Sequence, residues 1–238
     1  MLINDKYKTR RFVVLPAILT VLVIGALGAG KPIRERIEWS DIWVVNANRD
    51  DLPRVLLVGD SITRQYFGTV EKVLDGKVNL ARCTTSKFLG APDYLPELEI
   101  LLKNYRFDVI HINNGLHGFG YTEARYEAAF PSLLGNLKKY APDATLIWAT
   151  TTPVREKGNL SRFNEQRTAR VRERNRIALR FMKANHIPVD DLYDVVAQHP
   201  EFYKTGGTHF NPKGVAALGA RVASVISNYL PRGTGSSR

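Results

Sequence analysis

Short apolar runs alternate with amphipathic stretches over most of the chain. Five runs are apolar on both faces, which is typical of buried parallel strands. They span residues 54–59, 78–83, 107–113, 144–151 and 187–193. Apolar residues at helical spacing fill 62–74, 94–105, 123–140, 161–184 and 214–230. This alternation predicts an α/β fold, with a five-stranded parallel sheet covered by helices on both faces.

The N-terminus carries a different pattern, an uncharged apolar stretch over residues 12–29 that directly follows four basic residues. A helix of about 18 residues nearly spans a bilayer core, and basic residues before it hold that end in the cytoplasm. We therefore predict a transmembrane anchor that leaves the rest of the chain outside the cytoplasm. A cleaved secretory signal stays open, because Ala26 and Gly28 form a small-x-small pair. A buried helix of the domain would contain more polar positions.

These patterns divide the chain into four segments. Residues 1–33 form the basic segment with its anchor or signal, and 34–53 form a lead-in that packs on the domain. Residues 54–230 form the domain, and 231–238 form a solvated tail. A chain of 238 residues with 44% hydrophobic content can bury one sizeable core.

The net charge and the cysteine content limit the possible binding partners, disulfides and metal sites. The net charge of +11 suits a membrane surface, an acidic glycan or nucleic acid, and no nucleic-acid-binding motif accompanies it. We interpret the arginine-rich stretch 162–176 as a solvated face, with contact to an acidic glycan or lipid headgroup as the alternative. The single cysteine, Cys83, excludes an intrachain disulfide. No acidic cluster accompanies His111 and His117, so we expect neither a metal site nor a cofactor.

Candidate chemistry lies where the predicted strands end. Ser61 follows the first strand, Gly90 lies in the loop after the second, and residues 113–118 end the third. If the strand order is flavodoxin-like, 2-1-3-4-5, these loops converge at one crevice. Ser61 also opens a helix, whose free N–H groups and dipole favour a developing negative charge. An ordinary helix N-cap is the alternative interpretation of this serine.

A candidate base lies near the other end of the chain. His209 stands in a glycine-flanked loop just before the last helix, from which it can return to the crevice and accept the Ser61 proton. Serine needs such a base, and histidine titrates near neutrality. Thr152 and Arg155 follow the fourth strand, which predicts that they line the rim of the crevice.

Three motifs together resemble the SGNH (GDSL-type) hydrolase superfamily. They are VLLVGDSIT at 55–63, INNGLHG at 112–118 and THFNPKG at 208–214, and the resemblance covers residues 54–230. It implies a flavodoxin-like three-layer α/β/α fold and a nucleophilic Ser61. It also implies an ester-cleaving or acyl-transferring activity. The oxyanion hole would consist of the Ser61 N–H, the Gly90 N–H and a side chain of the third block.

Two positions depart from the family pattern. His117 stands where the family has the oxyanion asparagine, so its ring, Asn113 or Asn114 would supply that donor. Gly206 stands where the family has an aspartate three residues before the histidine. His209 would then act in a Ser–His dyad oriented by a backbone carbonyl, or with a replacement carboxylate, or in a weakened enzyme. The candidate carboxylates are Asp191, Asp194 and Glu201.

The sequence thus predicts a membrane-anchored or exported serine esterase that removes short acyl groups, such as acetyl, from a carbohydrate. An O-acyltransferase on the same machinery is one alternative, because a sugar hydroxyl can replace water. A non-catalytic carbohydrate-binding module is the other, suggested by Gly206.

Overall fold

A computed structural model describes residues 33–231 of the chain. Its centre is a six-stranded sheet in the order β1-β3-β2-β4-β5-β8. The strands are β1 Ser40–Val44, β2 Arg54–Gly59, β3 Asn79–Thr85, β4 Val109–Ile112, β5 Thr145–Ala149 and β8 Val189–Asp190. All pair in parallel except β1, which is antiparallel to β3. The parallel strands follow the predicted 2-1-3-4-5 order, and the α/β fold is confirmed.

The sheet has one strand more than the five that the sequence predicts. The lead-in supplies it as β1, in which Ser40 lies opposite Thr85 and Val44 opposite Ala81. This strand lies at the edge of the sheet and its residues are exposed or half-buried. An edge strand lacks the continuous apolar pattern of a buried parallel strand, which is why the sequence did not reveal it.

Seven helices and a small hairpin complete the described part of the chain. The helices are α1 Ser61–Val73, α2 Tyr94–Asn104, α3 Glu123–Ala128, α4 Phe130–Tyr140, α5 Glu165–Ala184, α6 Leu192–Ala197 and α7 Pro212–Ser227. The hairpin pairs β6 Arg155–Glu156 with β7 Asn159–Phe163, and a 3-10 helix spans Pro200–Phe202.

Three predicted elements have different bounds in the structure. The stretch 123–140 is two helices, because Pro131 lacks the N–H that a continuous helix would need there. The stretch 161–184 begins in the hairpin, and the helix starts only after Asn164, whose side chain accepts the Arg167 N–H. The fifth predicted strand shrinks to β8, because Asp191 already caps α6.

Two apolar layers lie on opposite faces of the sheet. Val55 and Leu57 pack with side chains of α1 and α7, whereas Leu56 and Val58 pack with those of α2 and α4. Alternate residues of β2 thus serve both layers, which explains why the strand is apolar throughout. The resulting three layers place the carboxyl ends of β3, β2 and β4 side by side.

The predicted anchor or signal and the end of the tail lie outside the described residues. Between residues 33 and 231, none of the helices combines the length and apolar character that crossing a membrane requires.

Candidate active site

Ser61 is held at the start of α1 by the tight turn that leaves β2. Every residue of β2 is buried, and a Cβ at Gly59 would collide with the Thr63 side chain. Asp60, rather than Ser61, is the N-cap, because its Oδ1 accepts the Ile62 N–H at 2.8 Å. Ser61 is therefore the first helical residue, and its hydroxyl is not needed as a cap.

The structure brings His209 to Ser61, with 2.9 Å between His209 Nε2 and Ser61 Oγ. Two sets of contacts hold the histidine loop. The Lys204 N–H donates to the His209 carbonyl at 2.8 Å, and the Gln65 side chain bonds the backbone of Phe210. Because Gln65 lies one turn after Ser61 on α1, the same helix positions both members of the pair.

The surroundings of His209 favour its neutral form. Burial lowers its pKa, and the positive charges of Lys204, Arg64 and His117 act in the same direction. Only the buried Asp60 carboxylate opposes them. A neutral imidazole can accept the serine proton, so these charges keep His209 a competent base under mildly acidic conditions.

None of the three candidate carboxylates contacts His209. Asp191 caps α6 and accepts the Thr150 hydroxyl at 2.7 Å. The Asp194 side chain is exposed on α6, and Glu201 bonds His199 Nδ1 at 2.8 Å. Asp191 and Glu201 thus bond local partners instead. In the part of the chain described, no side chain or carbonyl bonds His209 Nδ1.

Two backbone N–H groups are available for an oxyanion. The Ser61 N–H lies at the start of α1, where no intrahelical acceptor exists. Gly90 lies in the loop after β3, where a Cβ would come within 2.8 Å of the Phe88 ring. Within residues 33–231, neither N–H has a hydrogen-bond acceptor.

The two asparagines of the third block do not reach this position. Asn113 Nδ2 donates to the Ala149 carbonyl at 2.8 Å. Asn114 Nδ2 donates to the Lys87 carbonyl at 2.9 Å, and its Oδ1 accepts the Leu89 N–H at 3.1 Å. Asn114 therefore fixes the loop that carries Gly90 instead of donating to an oxyanion.

His117 is the remaining donor of the third block. The Trp39 ring, which contacts the His117 ring, also lies under the guanidinium of Arg64 on α1, so His117 lies beside the helix that carries Ser61. Its Nδ1 bonds Glu35 Oε2 at 2.9 Å, and its ring meets Trp39 edge-on with centroids 6.4 Å apart.

Thr152 and Arg155 do not line the rim, which corrects the expectation from the sequence. Both are buried. Arg155 donates to the carbonyls of Leu160 and Ala197, where it joins the hairpin to α6. Thr152 lines a small cavity of about 10 Å³ beside Ile62 and Tyr66 of α1. A buried guanidinium that bonds two backbone carbonyls is not exposed to a substrate.

Two residues that contact the loop of the third block were not predicted from the sequence. Arg174 of the arginine-rich stretch is fully buried and donates to the carbonyls of Gly115, His117 and Gly118. Glu35 belongs to the lead-in, yet it contacts a loop 82 residues away. Helical spacing does show that Arg174 lies on the apolar side with Val171 and Ile177, whereas no sequence signal links Glu35 to His117.

No metal site is evident among the described residues. Residues 33–231 contain no group of three or more His, Cys, Asp or Glu side chains arranged to hold a metal ion.

A hydroxyl bonded to an imidazole at the carboxyl edge of a parallel sheet is an arrangement typical of serine hydrolases. A model of the GDSL-like Lipase/Acylhydrolase family matches residues 57–217, and the chain belongs to this family. The match confirms the resemblance found in the three motifs. No curated protein matches the sequence.

Solved structures with similar folds include several esterases. An aryl esterase of M. smegmatis is 14% identical, with a TM-score of 0.62 over 75% of this chain and 100% of that one. A GDSL-like lipase from Bacteroides thetaiotaomicron is 18% identical, with a TM-score of 0.58 over 74% and 88%. An acetyl xylan esterase is 17% identical, with a TM-score of 0.60 over 73% and 99%. Identities this low establish the fold alone.

Proposed function

We propose that the protein is a serine esterase that hydrolyses short-chain acyl esters, such as acetyl esters, carried on a carbohydrate. The observation that carries this proposal is the 2.9 Å contact between Ser61 Oγ and His209 Nε2. Membership of the GDSL-like Lipase/Acylhydrolase family supports the reaction class. The acetylated carbohydrate follows from the acetyl xylan esterase among the similar folds.

The reaction would proceed in two halves. Ser61 Oγ attacks the ester carbonyl carbon while its proton passes to His209 Nε2, and the carbonyl electron pair moves to oxygen. The Ser61 and Gly90 N–H groups stabilise that oxyanion. Its collapse expels the alcohol, which takes the proton from His209. Water then attacks the acyl-serine with the same histidine as base, releasing the acid and restoring Ser61.

The space behind the nucleophile supports a short acyl group. The cavity lined by Ile62, Tyr66, Leu116 and Thr152 holds about 10 Å³, which is the volume of about one water molecule. Ser61 itself is half-buried and His209 exposed. An acyl chain of many carbons does not fit this cavity.

The test is a chain-length series of p-nitrophenyl esters with wild type, Ser61→Ala and His209→Ala. We expect kcat/KM to be highest for acetate and both variants to lose turnover. Preference for long acyl chains would contradict the substrate class, and a fully active Ser61→Ala would contradict the mechanism. A parallel incubation with an acceptor sugar separates hydrolysis from transfer by its products.

We further propose that residues 12–29 anchor this domain to a membrane, or direct its secretion, with the active site outside the cytoplasm. The apolar stretch and its preceding basic residues support this placement. Fractionation of cells that express the full chain tests it. Recovery of an uncleaved chain in the cytoplasm would contradict it.

A further inference from the structure

The lead-in makes a direct connection to the third block of the active site. Glu35 Oε2 lies 2.9 Å from His117 Nδ1, and Glu35 Oε1 accepts the Gly118 N–H at 2.9 Å. The carboxylate thus bonds the histidine ring and the backbone next to it. Two bonds from one carboxylate fix both its position and the ring plane.

Several contacts hold Glu35 in this place. The Ile33 N–H donates to the Tyr121 hydroxyl at 2.7 Å, and Arg34 bonds both Glu38 and Asp93 at 2.8 Å. Trp39 meets the His117 ring edge-on, and the Arg64 guanidinium lies over Trp39 at 4.4 Å. The lead-in is therefore fastened on both sides of Glu35.

The rest of the third block is equally fixed. Arg174 donates to the His117 carbonyl at 2.6 Å and to the carbonyls of Gly115 and Gly118. With the backbone held by Arg174 and Nδ1 held by Glu35, the ring has one free nitrogen. No residue in the described part of the chain bonds His117 Nε2, and His117 lies within electrostatic reach of Asp60 and His209.

We propose that Glu35 is a positioning residue that makes His117 an oxyanion donor. Glu35 accepts the Nδ1 proton of the imidazolium and balances its charge, and the Nε2 proton then points to the oxyanion beside the Ser61 and Gly90 N–H groups. His209 carries the transferred proton, so His117 takes no part in the proton transfer. This inference rests on the proposed esterase function.

The proposal also accounts for the departure from the family motif. An asparagine donates from its amide without changing charge, whereas a neutral imidazole bonded through Nδ1–H has only an acceptor at Nε2. A histidine whose Nδ1 faces a carboxylate, as here, donates at Nε2 only when it carries both protons, and an anion on Nδ1 balances that charge. Glu35 supplies that anion from outside the family-matched range of 57–217.

A double-mutant cycle in the full-length protein tests the proposal. Glu35→Met keeps the length of the side chain and removes both its charge and its hydrogen bonds to His117 Nδ1 and the Gly118 N–H, and His117→Asn introduces a donor that needs no anion. Glu99→Met is the matched control, because Glu99 lies on α2 and bonds Lys103 and Asn136 instead of His117. The readouts are kcat and KM for p-nitrophenyl acetate, with thermal unfolding of every variant.

We expect Glu35→Met to lower kcat by roughly tenfold to a hundredfold, in line with loss or misplacement of one oxyanion donor, with little change in KM. Glu99→Met should remain within about twofold of wild type. In the His117→Asn background, Glu35→Met should change kcat by less than about twofold. If Glu35→Met unfolds the protein, Glu35→Asp takes its place in the cycle.

Two outcomes would overturn the proposal: an unchanged kcat in Glu35→Met, or the same loss with histidine and with asparagine at 117. The second would assign Glu35 a role in folding alone. Neither touches the proposed function, which fails separately if the wild type has no Ser61-dependent turnover.

Discussion

The residue with the most unusual surroundings is His209, which bonds Ser61 but has no carboxylate behind it. In Ser–His–acid triads the acid fixes the histidine tautomer and stabilises the imidazolium. Here burial lowers the pKa of His209, Lys204 and Arg64 lower it further, and the Asp60 carboxylate opposes them. The neutral imidazole is therefore favoured, and its protonated form gains little stabilisation.

Restoring an acid at position 206 should raise the rate at neutral pH. A Cβ on Gly206 would meet nothing within 4 Å, and Gly206 is not among the residues with positive φ. Gly206→Asp is therefore expected to fold, and its carboxylate to orient His209 and stabilise the imidazolium. The measurement is kcat/KM against pH, with Thr205→Asp as a control for added charge.

The direction of the pH shift follows from the same charges. His209 acts as a base when neutral, so activity falls as pH drops below its pKa. A new carboxylate raises that pKa, and the acid limb of the Gly206→Asp profile should move to higher pH. A well-folded variant with an unchanged rate and limb would show that the carboxylate does not reach His209.

At the scale of elements, α5 does more than cover the sheet. Its sequence has many arginines, and the pattern predicted a solvated face. Arg172, Arg176 and Arg180 are exposed on that face, whereas Arg174 points inward and fixes the loop that carries His117. Arg174 thus connects α5 to the loop that carries His117.

Replacing Arg174 should cost both stability and activity. Arg174→Met leaves three carbonyls without their donor, at about 1–3 kcal/mol for each buried unsatisfied group, so a loss of roughly 3 kcal/mol or more is expected. Arg176→Met is the control, because Arg176 is exposed and pairs with Glu173. Chemical denaturation and kcat measure the two effects. Equal behaviour of the two variants would refute the role of Arg174.

The lead-in is the other element whose role goes beyond the prediction. A chain that begins at Arg34 keeps β1 and Glu35, so we expect a stable, active domain. A chain that begins at Pro53 loses the β1–β3 pairing and the Arg82–Asp41 salt bridge at 2.8 Å, which should lower Tm by several degrees and reduce activity. Equal melting temperatures would contradict a structural role for β1.

Features that depend on neighbouring residues were predicted from the sequence, whereas features that depend on contacts between distant parts of the chain were not. The buried strands and the Gly-Asp-Ser turn are local patterns, and they predicted the parallel sheet, its order and the Ser61–His209 pairing. β1 escaped because an edge strand is half-exposed. Glu35 was missed and Arg155 was misplaced because their partners lie elsewhere in the chain. Arg174 was assigned to the solvated face, although helical spacing places it on the apolar side of α5.

At the scale of the whole molecule, the net charge is strongly positive. The chain has 34 Lys and Arg against 23 Asp and Glu. Among the positive residues, Arg64 and Lys204 lie close enough to His209 to lower its pKa, and Arg167 bonds Thr208 at 3.4 Å. The positive field therefore extends to the mouth of the active site.

This field should favour negatively charged esters. For an ester with a carboxylate on its alcohol portion, kcat/KM should fall as salt rises from about 0.01 to 0.5 M, because the Debye length shortens. The value for neutral p-nitrophenyl acetate should change little. Arg64→Gln should weaken the salt dependence of the charged ester. Identical salt dependence for the two esters would contradict electrostatic steering.

The central claim is that Ser61 forms an acyl intermediate with His209 as its base. The most direct measurement is rapid quenching of the enzyme with p-nitrophenyl acetate, followed by peptide mass spectrometry. The account predicts an acetyl group on the peptide that contains Ser61, its absence in Ser61→Ala, and slow formation in His209→Ala. Turnover without an adduct on Ser61, or an equal adduct in Ser61→Ala at another residue, would contradict it.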